Sequence, residues 1–464
     1  MIDLERRLNE FGDELDHRVD PVSLSELADL LDDSGGVPPV GGKRPSWRVA
    51  AVAAVLVLVV VGGFALLTSW GAADSDRVGS DDQTLPSGPV EPVPGEWVLV
   101  PGGEVFERSL IGGVTFGEDG LLAVGVEKLV IDQSGEPPLT VAGIPFVDRG
   151  EQAAVWTSED GSSWQRVLHD PAVFGVNGRL GDVVAAAAGY VIVGDADGVP
   201  AIWTSQDALT WTWVQAPPEA ALLARLISTD QVIVAQGSVA GRDLNDRGIW
   251  VSPDGESWTH VDEVAWSNPP SMAAGPSFVI LGEAREWLDR DQFTYTCEPV
   301  VWTSLDGLEW ERHRPTGDLF AGETCLPGMV MTWFNESLIA VAAGSAWTST
   351  DGVDWVMLPE SLGAFGGGVV TLDGETRPEA EVGGLASSSN GLVAVGIVRA
   401  EEGEVGVIWT STDGATWSQP LRAATLFGSA GGGSSVSELV ATANGFVAMD
   451  VFSGQTWIWV EPAS

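Results

Sequence analysis

Val155-Trp156-Thr157-Ser158-Glu159-Asp160-Gly161-Ser162-Ser163-Trp164 is one copy of a pattern, aliphatic-Trp-Thr-Ser-x-Asp-Gly-x-x-Trp, that decides the fold. Further copies start at Ile202-Trp203, Ile249-Trp250, Val301-Trp302, Ala346-Trp347 and Ile408-Trp409, and a truncated seventh reads as Ile458-Trp459. From Trp to Trp they lie 45 to 62 residues apart, close to the length of a four-stranded propeller blade. Before each copy a polar or Gly turn opens an alternating apolar strand, beginning at Leu121, Tyr190, Val232, Phe278, Leu338, Leu392 and Phe446. Each repeat therefore supplies four strands, a to d from the axis outward. The last one stops at Ser464 without its fourth. Glu96-Trp97-Val98-Leu99-Val100-Pro101 matches Asp354-Trp355-Val356-Met357-Leu358-Pro359, so the other end of the chain is expected to supply it. The expected fold is all-β, a seven-bladed β-propeller over residues 95–464 closed by its N-terminal strand, a closure that removes exposed sheet edges.

Composition agrees with this reading. A chain of 464 residues that is 44% hydrophobic is too long and too apolar for disorder, and 58 Gly with 27 Pro suit a turn-dense β protein. With 66 acidic against 22 basic residues and a net charge of -44, attraction to a phosphate backbone is excluded, and nucleic acid with it.

Upstream of the repeats, Val49 to Leu67 holds no charged side chain, and Trp47 and Trp70 flank it as interface anchors. Residues 48–70 are expected to form a transmembrane helix. Lys43, Arg44 and Arg48 precede it, whereas Asp74, Asp76, Asp81 and Asp82 follow, which places the N-terminus in the cytoplasm and the propeller outside. The leader is longer than that of a cleaved signal peptide. Residues 1–47 read as a cytoplasmic helical segment and linker. Leu4, Leu8, Phe11, Leu15 and Val19 line one helix, and Ser23 with Glu26 caps a second, so residues 1–33 could dock a cytosolic partner. Residues 71–94 form a Pro-, Gly- and Asp-rich extracytoplasmic stalk.

The Ser-x-Asp-Gly-x-x-Trp stretches resemble the Asp-box, or BNR, repeats of sialidase-like and sortilin-like propellers, here in a membrane-anchored bacterial setting of actinobacterial type. Their aspartates are Asp160, Asp207, Asp254, Asp306, Asp351 and Asp413, and the second box carries Ala208 in place of Gly. These boxes are one residue shorter between Asp and Trp than the commonest sialidase form. A structural role is expected: the carboxylate accepts turn N–H groups, Gly supplies the positive φ, and Trp covers apolar surface between blades. The sialidase catalytic set of three Arg, a Tyr–Glu pair and an Asp acid is not assembled, since the two tyrosines are Tyr190, which opens a b strand, and Tyr295.

The face carrying b–c loops and d–a connections varies in length among repeats, as binding faces do. Within it, Glu283 to Tyr295 gathers mixed charge and aromatics, and Arg285, Trp287, Arg290 and Tyr295 are the ligand-binding candidates. Asp243, Asn245 and Asp246 offer oxygens to a Ca²⁺ without completing a loop motif, and His169, His260 and His313 lack metal-ligand spacing, so no cofactor is expected. Cys297 and Cys325, two cysteines outside the membrane, are expected to form a disulfide. The expected function is a non-enzymatic, membrane-anchored extracytoplasmic module that binds an envelope protein or glycan and relays occupancy to the cytoplasm. The alternatives are a structural or assembly factor of the envelope, or a sialidase-like glycoside hydrolase.

Overall fold

Seven sheets, six of four strands and one of five, follow one another along the chain, each built on four antiparallel strands in the order a-b-c-d. Their inner strands are Ser109–Gly117, Arg179–Ala186, Ala220–Ser228, Ser271–Ala273, Met329–Phe334, Ala380–Ser388 and Val436–Thr442. The seven-bladed propeller expected from the repeat is thus present. The computed structural model describes residues 95–100, 103–128, 140–141, 144–145, 150–241, 247–266, 271–289, 294–317, 329–342, 344–366, 369–372, 375–378, 380–400, 403–418, 421–422, 436–451 and 456–460. The expected transmembrane segment, cytoplasmic helices and stalk lie outside these. Among the described residues no helix is long and apolar enough to cross a membrane.

The b strands are apolar on both sides because each blade is covered by two others. Leu121, Leu122, Ala123 and Val124 are all fully buried, as are Val191, Ile192 and Val193. Seven apolar clusters result, each shared by two neighbouring blades. No single core exists; the joints between blades are the core.

Ring closure follows the expected route. Trp97–Leu99 pairs with the last strand, Thr456–Val460, and the Gly95 and Val100 N–H groups extend the ladder to the Val460 and Thr456 carbonyls at 2.8 and 2.9 Å. One register expectation is corrected. The c-strand Trp of the seventh blade is Trp457, not Trp459. Trp457 pairs with Ala448 as Trp409 pairs with Ala394 and Trp156 with Ala123, and it is completely buried. A slip of two residues keeps both rings on the same side of the strand, so the pattern alone accepts either.

Each Ser-x-Asp-Gly-x-x-Trp stretch forms the c–d turn as expected. In blade 3, Ser252 Oγ accepts the Gly255 N–H at 2.8 Å and donates to Asp254 Oδ1 at 3.1 Å. The same Oδ1 accepts from the Glu256 and Ser257 amides at 2.9 and 2.7 Å, and Trp258 Nε1 donates to Gly255 O at 2.9 Å. Asp306, Asp351 and Asp413 repeat this set. Asp160 accepts instead from Ser162, through both its N–H and its hydroxyl. The Thr210 and Leu209 amides hold the Asp207 carboxyl down at about 2. The box glycines have φ between 74° and 83°, the left-handed region, and Ala208 takes 58°.

Three d–a connections add a device that the repeat pattern does not show. Short helical turns at Gly103–Phe106 and Pro171–Phe174, and the stretch after Pro359–Ser361, place Phe106, Phe174 and Phe365 against the paired Trp rings of blades 1, 2 and 6. The residue before each Phe accepts from the c-strand Trp Nε1 at 3.0, 2.8 and 2.9 Å. Blade 4's outgoing connection contributes Thr316–Gly317 as a fifth, parallel strand on the sheet of blade 5.

Removing residues 95–101 exposes the edge of Thr456–Val460 and deletes Trp97. The expected cost in urea unfolding is at least the roughly 3–5 kcal/mol of a buried Trp, accompanied by aggregation. An unchanged unfolding midpoint would show that this strand does not close the ring.

Candidate functional site

The aspartates of the repeat are engaged in turns on the face opposite the long loops, which leaves the other face and the axis to carry function. On that face the stretch 283–298 is not a loop, as expected from its composition, but a β-hairpin. Phe278–Asp289 and Thr294–Ser304 pair all the way to Asp289 and Thr294, because Trp287, Thr294, Tyr295 and Thr296 favour strand. The ladder sets Trp287 opposite Tyr295 and Arg285 opposite Cys297. Two aromatic candidates and one basic candidate are therefore brought to neighbouring positions. Arg290 lies outside the described residues. So does Cys325, and with it the expected disulfide, as do Asp243, Asn245 and Asp246. Glu283 is buried at the base of the hairpin.

Chemistry not anticipated from the sequence converges on the axis. Inner strands of blades 1, 2, 3, 6 and 7 each carry a β-bulge near their start, between Ile111 and Gly113, Leu180 and Asp182, Leu223 and Arg225, Val382 and Gly384, and Val436 and Glu438. The extra residue is small in every case: Gly112, Gly181, Ala224, Gly383 and Ser437. A bulge re-aims the side chain that follows it, and those residues are Gly113, Asp182, Arg225, Gly384 and Glu438. Inner strands start from the d–a connections, so the bulges lie toward the mouth on the long-loop face. Comparing the seven repeats at this one position would have found the site: three charged residues stand where two repeats have Gly.

Asp182, Arg225 and Glu438 line an axial cavity of about 450 Å³, together with Gln236, Arg247 and a thioether wall of Met272, Met329 and Met331. Asp182 is braced by the Val183 N–H and, from blade 3, the Leu226 N–H, both at 2.8 Å. Its carboxylate lies over Gly113, where any Cβ would collide with Oδ1. Glycine at 113 thus lets the Asp182 carboxyl lean across blade 1 toward Glu438 of blade 7. Both carboxyls keep part of their surface open to the channel, yet protein surrounds that channel, and it is this enclosure that governs their proton affinity. Burial pushes Asp182 up to about 6 against the pull of Arg225. Burial, and then the Asp182 charge, push Glu438 up to about 7. Arg247 opens the c strand of blade 3, donates to Ser238 Oγ at 2.9 Å, and has its pKa lowered by burial.

The remaining residues that could be reactive are held elsewhere. Tyr190 Oη accepts the Asp119 N–H at 3.1 Å on the box face. His260 stacks on Trp250 at 4.9 Å, His313 bonds Thr303 Oγ1 at 3.0 Å, and His169 stacks on Phe174 at 6.0 Å. Among the described residues no three His, Cys, Asp or Glu side chains converge as metal ligands.

No protein-family profile matches this chain, and no curated protein matches it in sequence. Several solved structures align with this chain at low identity. A virginiamycin B lyase from Staphylococcus aureus, solved with quinupristin, is 8% identical over 78% of this chain and 98% of its own, with a TM-score of 0.46. An acylaminoacyl peptidase from Pyrococcus horikoshii is 10% identical over 76% of this chain and 52% of its own, at 0.42. A glycosyl hydrolase from Bacteroides ovatus is 13% identical over 50% of this chain and 81% of its own, at 0.29. These likenesses concern the fold alone.

The channel carboxyls set a pH dependence. Their folded pKa values are raised above the ordinary 3.8 and 4.5. The stability they contribute is therefore fully present below about pH 4 and is lost as pH rises through about 6 and 7. Glu438→Gln removes the larger share, so the variant should match the parent near pH 4. At pH 8 it should exceed the parent by roughly 1–3 kcal/mol in urea unfolding. A parent more stable than the variant at pH 8 would mean that the ionised carboxylate is held by a partner.

Proposed function

We propose that this chain is a membrane-tethered, extracytoplasmic binding propeller whose ligand enters the axial channel from the face of b–c loops and d–a connections. One observation carries the reading. Charged residues from three different blades, Asp182, Arg225 and Glu438, depart from the repeat at one level and share one cavity. A structural repeat has no need of them, and enclosing the Glu438 carboxyl without a hydrogen-bond partner among the described residues costs stability unless a ligand repays it. The box turns fit an Asp-box type of propeller, and the paired Trp287 and Tyr295 positions fit a hairpin that takes part in binding. Tethering rests on residues 48–70 and their flanking charges, and residues 1–33 supply a means of relaying occupancy to a cytosolic partner. The ligand derives from the cell envelope, as a small fragment of a protein or a glycan.

Two carboxyls in one cavity, with Glu438 holding its proton more tightly than Asp182, also favour a second reading, glycoside hydrolysis, which pairs a protonated acid with an ionised carboxylate. Turnover of fluorogenic glycosides, abolished by Glu438→Gln, would establish it.

The binding reading is tested by thermal unfolding of the full chain with and without a soluble extract of the cell envelope. A ligand present at 100 times its Kd stabilises by about 2.7 kcal/mol. The parent should melt higher with extract, and Arg225→Ala, which removes a channel-exposed side chain, should lose that shift while melting normally alone. Equal shifts in both proteins would move the binding site off the axis.

A further inference from the structure

Polarity around the channel is divided by blade. Blades 7 and 2 supply the carboxyls, Glu438 and Asp182, with only Gly113 of blade 1 between them. Blade 3 supplies both cations, Arg225 and Arg247. Blades 4 and 5 supply the methionines, and blade 6 presents Gly383 and Gly384. Two of these charges have no direct partner. Among the described residues the enclosed Glu438 carboxylate accepts no hydrogen bond, and it meets Asp182 and Arg225 only through space. The Arg225 guanidinium likewise makes no ion pair within contact distance, although it faces both acids.

We propose that the channel takes a small zwitterion of the α-amino acid class with an apolar side chain. Its ammonium sits against Asp182 and Glu438, its carboxylate against Arg225 and Arg247, and its side chain against Met272, Met329 and Met331. The proposal rests on the channel being the binding site and names the chemistry of its ligand. A volume of about 450 Å³ admits such a molecule and excludes a folded partner. Charge complementarity selects against simpler candidates. An amine without a carboxylate brings a third cation beside the two arginines, and a carboxylate without an amine faces two acids, so each analogue meets repulsion that the zwitterion offsets. A neutral sugar offers neither a cation to the Glu438 carboxylate nor an anion to the Arg225 guanidinium, which have no contact partners of their own among the described residues. The thioether wall is soft and adapts to branched or linear aliphatic groups, so selectivity is expected to reside in the charged ends.

Isothermal titration of the purified full chain at pH 7 and low salt separates these cases, with L-leucine, 4-methylpentanoate, 3-methylbutylamine and methyl β-glucoside as probes. L-leucine should bind at least ten-fold more tightly than any of the other three. Glu438→Gln should weaken L-leucine about ten-fold and leave 4-methylpentanoate equal or tighter, a split that general unfolding would not produce. Melting curves of the unliganded variant confirm its fold. If 4-methylpentanoate or the glucoside binds as tightly as L-leucine, and Glu438→Gln alters that binding, the channel stands as a site and the zwitterion is wrong. If no probe binds, the zwitterion is again wrong, and the shift with envelope extract decides the channel by itself.

Discussion

The joint between blades rests on a contact at the box glycine. In the left-handed conformation, Gly255 brings its Cα against Val191 and Thr204 of the preceding blade, where a Cβ would stand 2.7 and 3.1 Å from their methyl carbons. Gly307 meets Val232, Gly352 meets Val279, Gly414 meets Ile339 and Gly161 meets Val447 in the same manner. A β-branched side chain on one blade thus presses on a glycine of the next. The exception follows the rule: Ala208 replaces the glycine in blade 2, and the matching residue of blade 1 in the shared cluster is Leu122, branched one carbon further out. Ser and Asp of each box fasten the turn that presents this surface. Because the seven apolar clusters all lie between blades, a turn that failed to dock would open a core as well as a loop.

Much of this was legible in the primary structure. Trp, Asp and Gly at fixed spacing indicated the c–d turn, its hydrogen bonding and the number of blades, since those residues serve the same local purpose in every copy. The incomplete last repeat and the Trp97 strand indicated closure. The register of that closure was not legible, because Trp457 and Trp459 are two residues apart and a strand repeats every two. Nor was the hairpin at 283–298, whose charged residues read as loop although its Trp, Tyr and Thr positions support pairing.

The channel escaped for a different reason. Repeat reading looks for what recurs, whereas Asp182, Arg225 and Glu438 matter because they interrupt a position that is Gly in blades 1 and 6. Their effect depends on a bulge, which is a property of pairing between strands rather than of either sequence alone. The ring makes this arrangement effective. Seven similar sheets hold seven strand starts at one level around an axis, so three substitutions far apart in the chain meet in one cavity. The repeat supplies rigidity, and departures from it supply chemistry.

Comparing two glycine-to-alanine substitutions tests the blade joint most directly. Gly255 and Gly241 have nearly the same φ, 75° and 78°, but Gly255 is docked on blade 2 whereas a Cβ at Gly241 would meet nothing within 4 Å. Both variants bear the roughly 1–2 kcal/mol cost of a left-handed alanine. Gly255→Ala should lose a further ~1–3 kcal/mol from overpacking the joint, seen as a lower midpoint of the whole unfolding transition in urea. Equal losses in the two variants would contradict the account, because they would show that the box glycine is needed for its turn and not for holding one blade to the next.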